Sequence, residues 1–423
     1  MVTSTAKMTC VSGEGDAPAM PLFERLCALD ERRAFLEHRS RRACAKEYES
    51  LAGYIMSDGC VDDLTSLLSG EFDYPLPRQL QLRKAHSDRR RIVYAYPERL
   101  KNLMKYINWG MLEYDDIFSD SLYSFRRNRG VADVFRRIAR VDYARNLFAV
   151  KADIHDYGHS IRPELLKPML RELMGARDPA LLSYLEYLLD RGAYLRNDKV
   201  VYGDMGGLPG IPMGCFFNNL YLAELDRGLE QHSALYCRYA DDIAVFTATR
   251  AEALDAIDTI RATVSRLGIA LNEGKTHLLD PGEDIELLGI EIRSGQLDVA
   301  DHTLAKARTK LTHYANKLVR YEQRRGLPRP QAAAMMVRRI DRYFYGTGNV
   351  EHELSWRDFF FHVITRPDSL HDLDLTCQDL IRRVATGKRG DARYRFRYAD
   401  MQALGYRPLM HEYYRYLKDM NAR

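Results

Sequence analysis

Three aspartates carry the chemistry that this sequence is best equipped to do. Asp241 and Asp242 are adjacent in "CRYADDIAVF" (237–246), with short apolar runs on both sides. Asp153 closes the apolar run "LFAVKAD" (147–153). Neighbouring carboxylates repel, and like charges this close cannot all ionise without compensation. Either water or a cation has to supply it. Hard divalent cations prefer oxygen ligands, and Mg²⁺ takes one or two carboxylates together with substrate phosphates. Two such ions, roughly 3.5–4 Å apart, can hold the attacking and the leaving oxygen of a phosphoryl displacement. One would lower the pKa of an attacking 3′-hydroxyl, and the other would neutralise a leaving pyrophosphate.

That chemistry requires the three acids to meet, so the elements around them matter. "LYCRY" and "IAVFT" are two apolar runs separated by Ala240, Asp241 and Asp242, which predicts a hairpin with the acids at its tip. "LFAVKAD" reads as a buried strand. Gly206, Gly207, Pro209, Gly210, Pro212 and Gly214 make a loop too rich in breakers for helix or strand. Phe217, Leu220, Tyr221, Leu225 and Leu229 recur at helical spacing. Leu254, Ile257, Ile260, Val264 and Leu267 predict a second helix, ended by Gly268. "IALN" and "IELLGIEI" return to strands. The order strand, helix, hairpin, helix, strand is the split plan of a ferredoxin-like sheet with helices on one face. In such a sheet the end of the first strand lies beside the hairpin tip. Asp153 is then expected close to Asp241, although 88 positions separate them.

The bulk of the chain sets limits on its class. It has 423 residues, enough for two or three domains, and 46% are apolar. No apolar run approaches the roughly 20 residues that span a bilayer. Residues 1–20 lack the apolar segment of a secretory signal and read as a loose leader. Cys10, Cys27, Cys44, Cys60, Cys215, Cys237 and Cys377 are odd in number and form no Cys-x-x-Cys pair. Neither a disulfide framework nor a zinc site is suggested, and a cytoplasmic protein without a membrane partner is expected.

Net charge is only +4, but its distribution is uneven. Arg83, Lys84, Arg89, Arg90, Arg91, Arg99, Lys101 and Lys105 stand against Asp88 and Glu98. From 301 to 342 there are 11 Lys/Arg against 3 Asp/Glu. Aromatic residues interleave with basic ones in "YEQRRG", "RRIDRYFYG" and "RYRFRYAD". Such a mixture suits a phosphate backbone and stacked bases. A plain solvated helical face is the competing reading of each cluster. Ahead of this, residues 21–70 read mostly as helix, with apolar Leu22, Phe23, Leu26, Leu29, Phe35 and Leu36. "EFDYPLPRQLQLRK" is extended and leads into the strand-like "RRIVYAY".

From about residue 83 to about 292 the sequence resembles the reverse transcriptases. "RRRIVYAYP" resembles their first fingers motif and "FSDSLYSFRRNRG" (118–130) the second. "ADIHDYGHSI" (152–161) resembles the strand motif with the first catalytic aspartate. "GLPGIPMGCFFNNLYLAELD" (207–226) is similar to the loop and helix that pack on template and nucleotide, and "YADD" supplies the paired acids. "LNEGKT" resembles the motif whose lysine sits near the departing pyrophosphate, and "LLGIEI" the primer-grip hairpin. Seven motifs in order are far more specific than any one of them.

The resemblance implies an α+β right-hand polymerase with fingers, a ferredoxin-like palm and a helical thumb. The divisions expected are a leader (1–20), an N-terminal helical extension (21–82), fingers (83–145), palm (146–298, with 160–205 contributing to the fingers) and a thumb with C-terminal region (299–423). It implies catalytic roles for Asp153, Asp241, Asp242 and Lys275. The three aspartates and the backbone of Ile154 would hold two Mg²⁺ ions, or Mn²⁺ in their place. Arg126, Arg127, Tyr157, Gly158, Pro209 and Gly210 would line the nucleotide site, and Leu288 and Gly289 the primer grip. Either arginine could clamp the triphosphate by charge-assisted bonds or serve as a surface salt-bridge partner. The expected partners are an RNA template, a DNA product and dNTPs, with a dedicated non-coding RNA, a protein partner or a homo-oligomer left open.

Two departures bear on fidelity. The family's Leu-Pro-Gln-Gly reads "LPG" here, so Pro209 or Gly210 fills the glutamine position. The bulky aromatic that usually blocks a 2′-hydroxyl is replaced by Gly158, with Tyr157 just before it. The resemblance runs nearest to stand-alone bacterial enzymes of the abortive-infection and unknown-group type, which serve antiviral defence. The alternatives are a retron-like or group II intron-like enzyme copying a dedicated RNA, and a terminal polymerase that needs no template. From other classes come an RNA-binding scaffold that keeps the fold and a small-molecule nucleotidyl cyclase.

Several residues invite a second reading. "RYAD" recurs at 397–400, where Met401 follows Asp400 and no apolar strand comes after; this copy reads as a helix start. His155 and His159 flank Asp156 and read as surface histidines rather than metal ligands. Cys215 and Cys237 lie near the acids without anything to activate a thiol, and read as core. Residues 300–423 are helical and basic, "GYRPLMHEYYRYLKDM" is expected as a further helix, and no RNase H, integrase or endonuclease motif is seen.

Overall fold

A computed structural model describes residues 20–40, 45–83, 90–140, 146–346, 355–388 and 394–421. The leader, apart from Met20, lies outside the described residues, as do Lys84 and Arg89 of the first basic stretch. Eleven strands occur among them: β1 (Arg78–Arg83), β2 (Arg90–Ala95), β3 (Phe148–Asp153), β4 (Ala193–Arg196), β5 (Lys199–Tyr202), β6 (Leu235–Tyr239), β7 (Asp242–Thr247), β8 (His277–Leu279), β9 (Ile285–Leu287), β10 (Ile290–Arg293) and β11 (Gln296–Val299).

The central sheet has the order β6-β7-β3-β8, antiparallel throughout. Its period-two pattern divides two cores. Val150, Ala152, Ile243 and Val245 face one core with Leu225, Leu229, Ile257, Ile260 and Val264. These come from the helices Ala223–His232 and Arg250–Arg266. The second helix starts at a capping box, in which Thr249 and Glu252 satisfy each other's backbone N–H groups. Gly268, at φ +69°, ends it. The strands and helices follow the ferredoxin-like expectation, except that β8 (His277–Leu279) supplies the fourth sheet strand while "IELLGIEI" makes the β9–β10 hairpin of a separate sheet, and with two further differences. The helix read through 217–229 breaks at Leu222 into Gly214–Tyr221 and Ala223–His232. "IALN" contributes only a bridge between Leu271 and Ile154, because the chain turns into a short 3-10 helix (Glu273–Lys275) directly after it.

The opposite face of the sheet, through Ala149, Ala244 and Phe246, shares a core with β9, β10, β11 and the C-terminal helices. β9 and β10 form a hairpin whose turn, Leu288–Gly289, has φ of +51° and +81°. Both central residues at positive φ are what a type I′ hairpin turn requires, which suits glycine and strains leucine. The long helices Asp301–Arg325, Arg329–Tyr345 and Asp368–Thr386 pack against one another, and Leu409–Asn421 packs on the third.

The N-terminal sheet has the order β2-β1-β4-β5, so residues 193–202 return to pair beside 78–95. Asn197 and Asp198, at φ +51° and +60°, make the tight β4–β5 turn. Short helices from Leu22 to Leu68 brace this region, with Leu22 N–H donated to buried Asp178 at 2.7 Å. Among the described residues no helix is long and apolar enough to cross a membrane.

Candidate active site

Backbone geometry brings the acids together. β6 and β7 join through Ala240 and Asp241, and Ala240 takes φ +56° to close the turn. Asp242 then stands directly opposite Asp153 in the β3–β7 ladder. Side chains opposed in this way lie on one face, with Cβ atoms about 4.5–5.5 Å apart. Ile154 extends β3 past the ladder and donates its N–H to the Asp241 carbonyl at 3.3 Å. The three carboxylates and the Ile154 backbone therefore share one sheet edge.

Asp153 is almost enclosed, at 5% exposure. Lys275 Nζ donates to one of its carboxylate oxygens at 2.9 Å and Asn272 Nδ2 to the other at 3.0 Å. Asn272 N–H also holds the Asp153 carbonyl at 2.7 Å. Burial pushes Asp242 up to about 6, and the charges of Asp241 and Asp153 push the same way. Burial raises Asp241 too; Asp153 adds to this, while Lys275 and Arg91 oppose it. Burial alone would lower Lys275, but Asp153, with Asp242 and Asp241, raises it overall. The edge is thus short of positive charge. Among the described residues no three His, Cys, Asp or Glu side chains are already closed around a metal position. The donors are all hard oxygens and two carboxyls are held above their ordinary range, so a divalent cation fits the edge chemically.

Behind the turn lies a buried ion pair. Arg238 and Asp226 have fully enclosed side chains, and Arg238 Nε and Nη2 meet the two Asp226 oxygens at 2.6 Å each. Tyr236 donates its hydroxyl to Asp226 at 2.6 Å. The remaining Arg238 donors go to carbonyls, Ala240 at 3.1 Å and Asn219 at 3.0 Å. Arg238 therefore ties the strained residue of the turn to the two helices behind it. Asn219 in turn exchanges hydrogen bonds with Ser124, at 3.1 and 2.9 Å, and so connects the 118–130 segment.

The other expected residues fall into groups. Lys275 is beside Asp153. Tyr157 is buried and donates its hydroxyl to the Asn218 carbonyl at 2.6 Å, which fixes its ring in the core. Gly158 faces Pro209: a Cβ at this glycine would lie 3.4 Å from Pro209 Cβ. Pro209 accepts Tyr94 N–H at 2.9 Å, and Gly210, at φ +96°, leaves no room for a Cβ against Val93. The loop is therefore seated on β2. Leu288 and Gly289 form the β9–β10 turn, and the Gly289 carbonyl accepts from Ala300 N–H at 2.9 Å.

Arg126 is a correction to the clamp expectation. Its Nη1 donates to the Ser119 carbonyl at 2.6 Å and to Leu122 at 3.4 Å, and Nη2 to Asp115 at 2.7 Å. An arginine this committed to carbonyls braces its own loop. Arg127 is exposed and gives its backbone N–H to Asp115 at 2.6 Å. His159 pairs with Asp156 at 3.1 Å and His155 is exposed. Cys237 is buried, and burial raises both Cys215 and Cys237, as inert core thiols should be.

Four residues were not singled out from sequence. Arg238 and Asp226 are 12 positions apart and carry no periodic signal, although an arginine inside an apolar strand is itself a cue. Asn272 lies in a quoted motif whose lysine drew the attention. Arg91 was counted only as part of a basic stretch, yet its charge reaches Asp241.

Residues 82–292 match the family described as reverse transcriptase (RNA-dependent DNA polymerase). A search of curated proteins finds no match. Among solved structures the chain is similar to an apo telomerase from Candida tropicalis truncated from its C-terminal domain, with TM-score 0.40 and 12% identity over 53% of this chain and 55% of that one. It is also similar to a telomerase from Candida albicans in complex with the TWJ fragment of telomeric RNA, with TM-score 0.44 and 11% identity over 83% of this chain and 68% of that one. The chain spans about half the length of the first of these.

Proposed function

Residues 82–292 are a reverse transcriptase domain, that of an RNA-directed DNA polymerase and nucleotidyltransferase, and from this premise we propose that the chain adds dNTPs to a primer 3′-hydroxyl on an RNA template. The observation that carries this reading is the register that sets Asp153 opposite Asp242, with Asp241 at the same edge.

Asp153, Asp241, Asp242 and the Ile154 backbone are the groups that would hold two divalent ions, Mg²⁺ or Mn²⁺. When bound, the ions supply Lewis-acid activation of the 3′-hydroxyl and neutralisation of pyrophosphate. The protein's own part is to present the acids on a rigid edge. Lys275 keeps its proton there and is suited to meet the negative charge of the leaving group. Arg91, whose charge reaches Asp241, is the cation of the N-terminal sheet best suited to a triphosphate. The basic face of the helices from 301 to 342 suits a duplex backbone.

We read the setting as bacterial antiviral defence. The support is the resemblance of the motifs to those of stand-alone bacterial enzymes that serve antiviral defence; the departures at the nucleotide loop, Pro209 or Gly210 for the usual glutamine and Gly158 for the usual aromatic, bear on copying fidelity. The test is to purify the protein with its bound nucleic acid, add labelled dNTPs and Mg²⁺, and sequence both the copurified RNA and the product. A product complementary to a copurified RNA supports templated copying. A product of a single nucleotide type, unrelated to any copurified strand, would favour the terminal polymerase.

A further inference from the structure

We propose that a basic cleft beside the first residue of β6 binds a small polyphosphate, either a free one or that of a nucleotide. The site stands apart from the acids and does not depend on the polymerase reading.

The cleft has a volume of about 470 Å³ and lies between the helix Val131–Arg140 and β6, the edge strand of the central sheet. Clefts that hold small ligands run from about 300 to 1,000 Å³. The gap follows from the path of the chain. At the far end of β6, Leu122 bridges Arg238 and Tyr123 N–H bonds the Arg238 carbonyl at 2.9 Å. The chain then turns through positive φ at Phe125 and Asn128 and returns as the helix. Tyr123 and Leu235 line the cleft and are buried. Leu235 and Tyr239 are the two ends of β6, roughly 13 Å apart, so the cleft is separate from the carboxylate edge.

The wall is basic. Arg129, Arg136 and Arg137 line it against one acid, Asp133. That acid is already committed twice: one oxygen meets Arg136 at 2.7 Å and the other accepts Gly130 N–H at 2.9 Å. Arg129 pairs outside the lining, with Asp120 at 2.5 Å. Arg137 is exposed and has no acid paired with it among the described residues, and its charge reaches Tyr123 and Cys237. Guanidinium groups are planar forks that match phosphate oxygens two at a time. Here the positive charge converges on one concavity instead of running along a surface, which suits a compact polyanion better than a strand. The volume has room for more than one phosphate, and the tyrosine and leucine offer an apolar surface to a base.

Calorimetric titration of inorganic tripolyphosphate into the full chain tests this. EDTA is present, so that the bare carboxylate edge repels the probe. Wild type should bind. Arg137→Glu should weaken binding by about 10-fold or more, the loss of one charge-assisted contact. Asp133→Asn keeps an oxygen for Gly130 N–H and removes the opposing charge, so it should bind about 5-fold more tightly. A gain of this kind cannot come from misfolding. Tripolyphosphate should also raise the melting temperature of wild type and of Asp133→Asn more than that of Arg137→Glu. ATP, titrated in the same way, separates the two sources. Tighter binding than tripolyphosphate, with the same dependence on Arg137, assigns the cleft to a nucleotide; equal binding assigns it to a free polyphosphate. Tripolyphosphate affinity unchanged in both variants would overturn the proposal. Absence of binding by wild type would overturn it too, and a labelled RNA 12-mer weakened by Arg137→Glu would then give these arginines to a strand.

Discussion

The tetrapeptide Arg-Tyr-Ala-Asp occurs twice, at 238–241 and 397–400, and the two copies fold differently. In the first, Arg238 and Tyr239 end a strand, Ala240 takes φ +56°, and Asp241 is delivered to the edge opposite β3. In the second, Tyr398, Ala399 and Asp400 begin the helix Tyr398–Ala403. There the Asp400 carboxylate accepts the Arg397 N–H at 2.7 Å, the ordinary duty of an acid in a first helical turn. All four residues of the second copy are exposed, whereas Arg238 is wholly enclosed against Asp226. The residues are identical, so the difference comes from the next residues in the chain and from the core packed against them. Asp242 and the apolar "IAVF" allow a strand after the first copy, and a buried carboxylate waits for its arginine. Neither is present at the second.

The largest contrast should be in activity. Asp241→Asn removes a charge from the cation-holding edge, and several kcal/mol of transition-state stabilisation corresponds to about three orders of magnitude or more in kcat. Asp400→Asn should leave kcat within a factor of two. Comparable losses from both, measured by primer extension on one template, would erase the distinction between the copies.

Next comes stability. Arg238→Met leaves Asp226 buried and unpaired, which costs about 3–5 kcal/mol. Arg397→Met, on an exposed side chain, should change stability by no more than about 0.5 kcal/mol. Urea unfolding of the two variants side by side checks this. A mild Arg238→Met would mean that Asp226 finds water in place of its partner.

This pair also shows what could be read from residues alone. Apolar runs flanking Asp241 and Asp242, and the helical spacings around them, were enough to place Asp153 across the sheet, because a sheet's topology follows from the order of its elements. Arg238 was legible only as a polar residue in an apolar strand. Its function depends on Asp226 facing it across a core, and no local period encodes that. Arg126 shows the reverse error: its motif suggested a ligand contact, but nearby loop carbonyls claim the guanidinium. The break at Leu222 and the lone Leu271–Ile154 bridge were hidden because apolar spacing does not reveal where one element yields to the next.

A smaller effect separates Asp242, next to the first copy, from any residue of the second. Its folded pKa, about 6, lies above the ordinary value of 3.8. Below pH 4 both folded and unfolded states hold the proton. Between pH 4 and 6 the unfolded chain releases it first, so stability falls as pH rises, and above 6 the loss is complete. Without divalent ions, Asp242→Asn should therefore be more stable than wild type at pH 8, by about 2 kcal/mol, with the gain fading towards pH 4. Thermal melts in EDTA across that range test the sign. A smaller effect still should belong to Asp400→Ala, which loses the helix-start bond and costs about 0.5–1 kcal/mol.

The most direct test is single-nucleotide incorporation with Mg²⁺ by wild type and by the Asp153→Asn, Asp241→Asn double variant, each shown by circular dichroism to be folded. Wild type should extend the primer and the folded double variant should not extend it at all above background. Incorporation by the double variant at the wild-type rate would show that the chemistry does not occur at the β3–β7 edge.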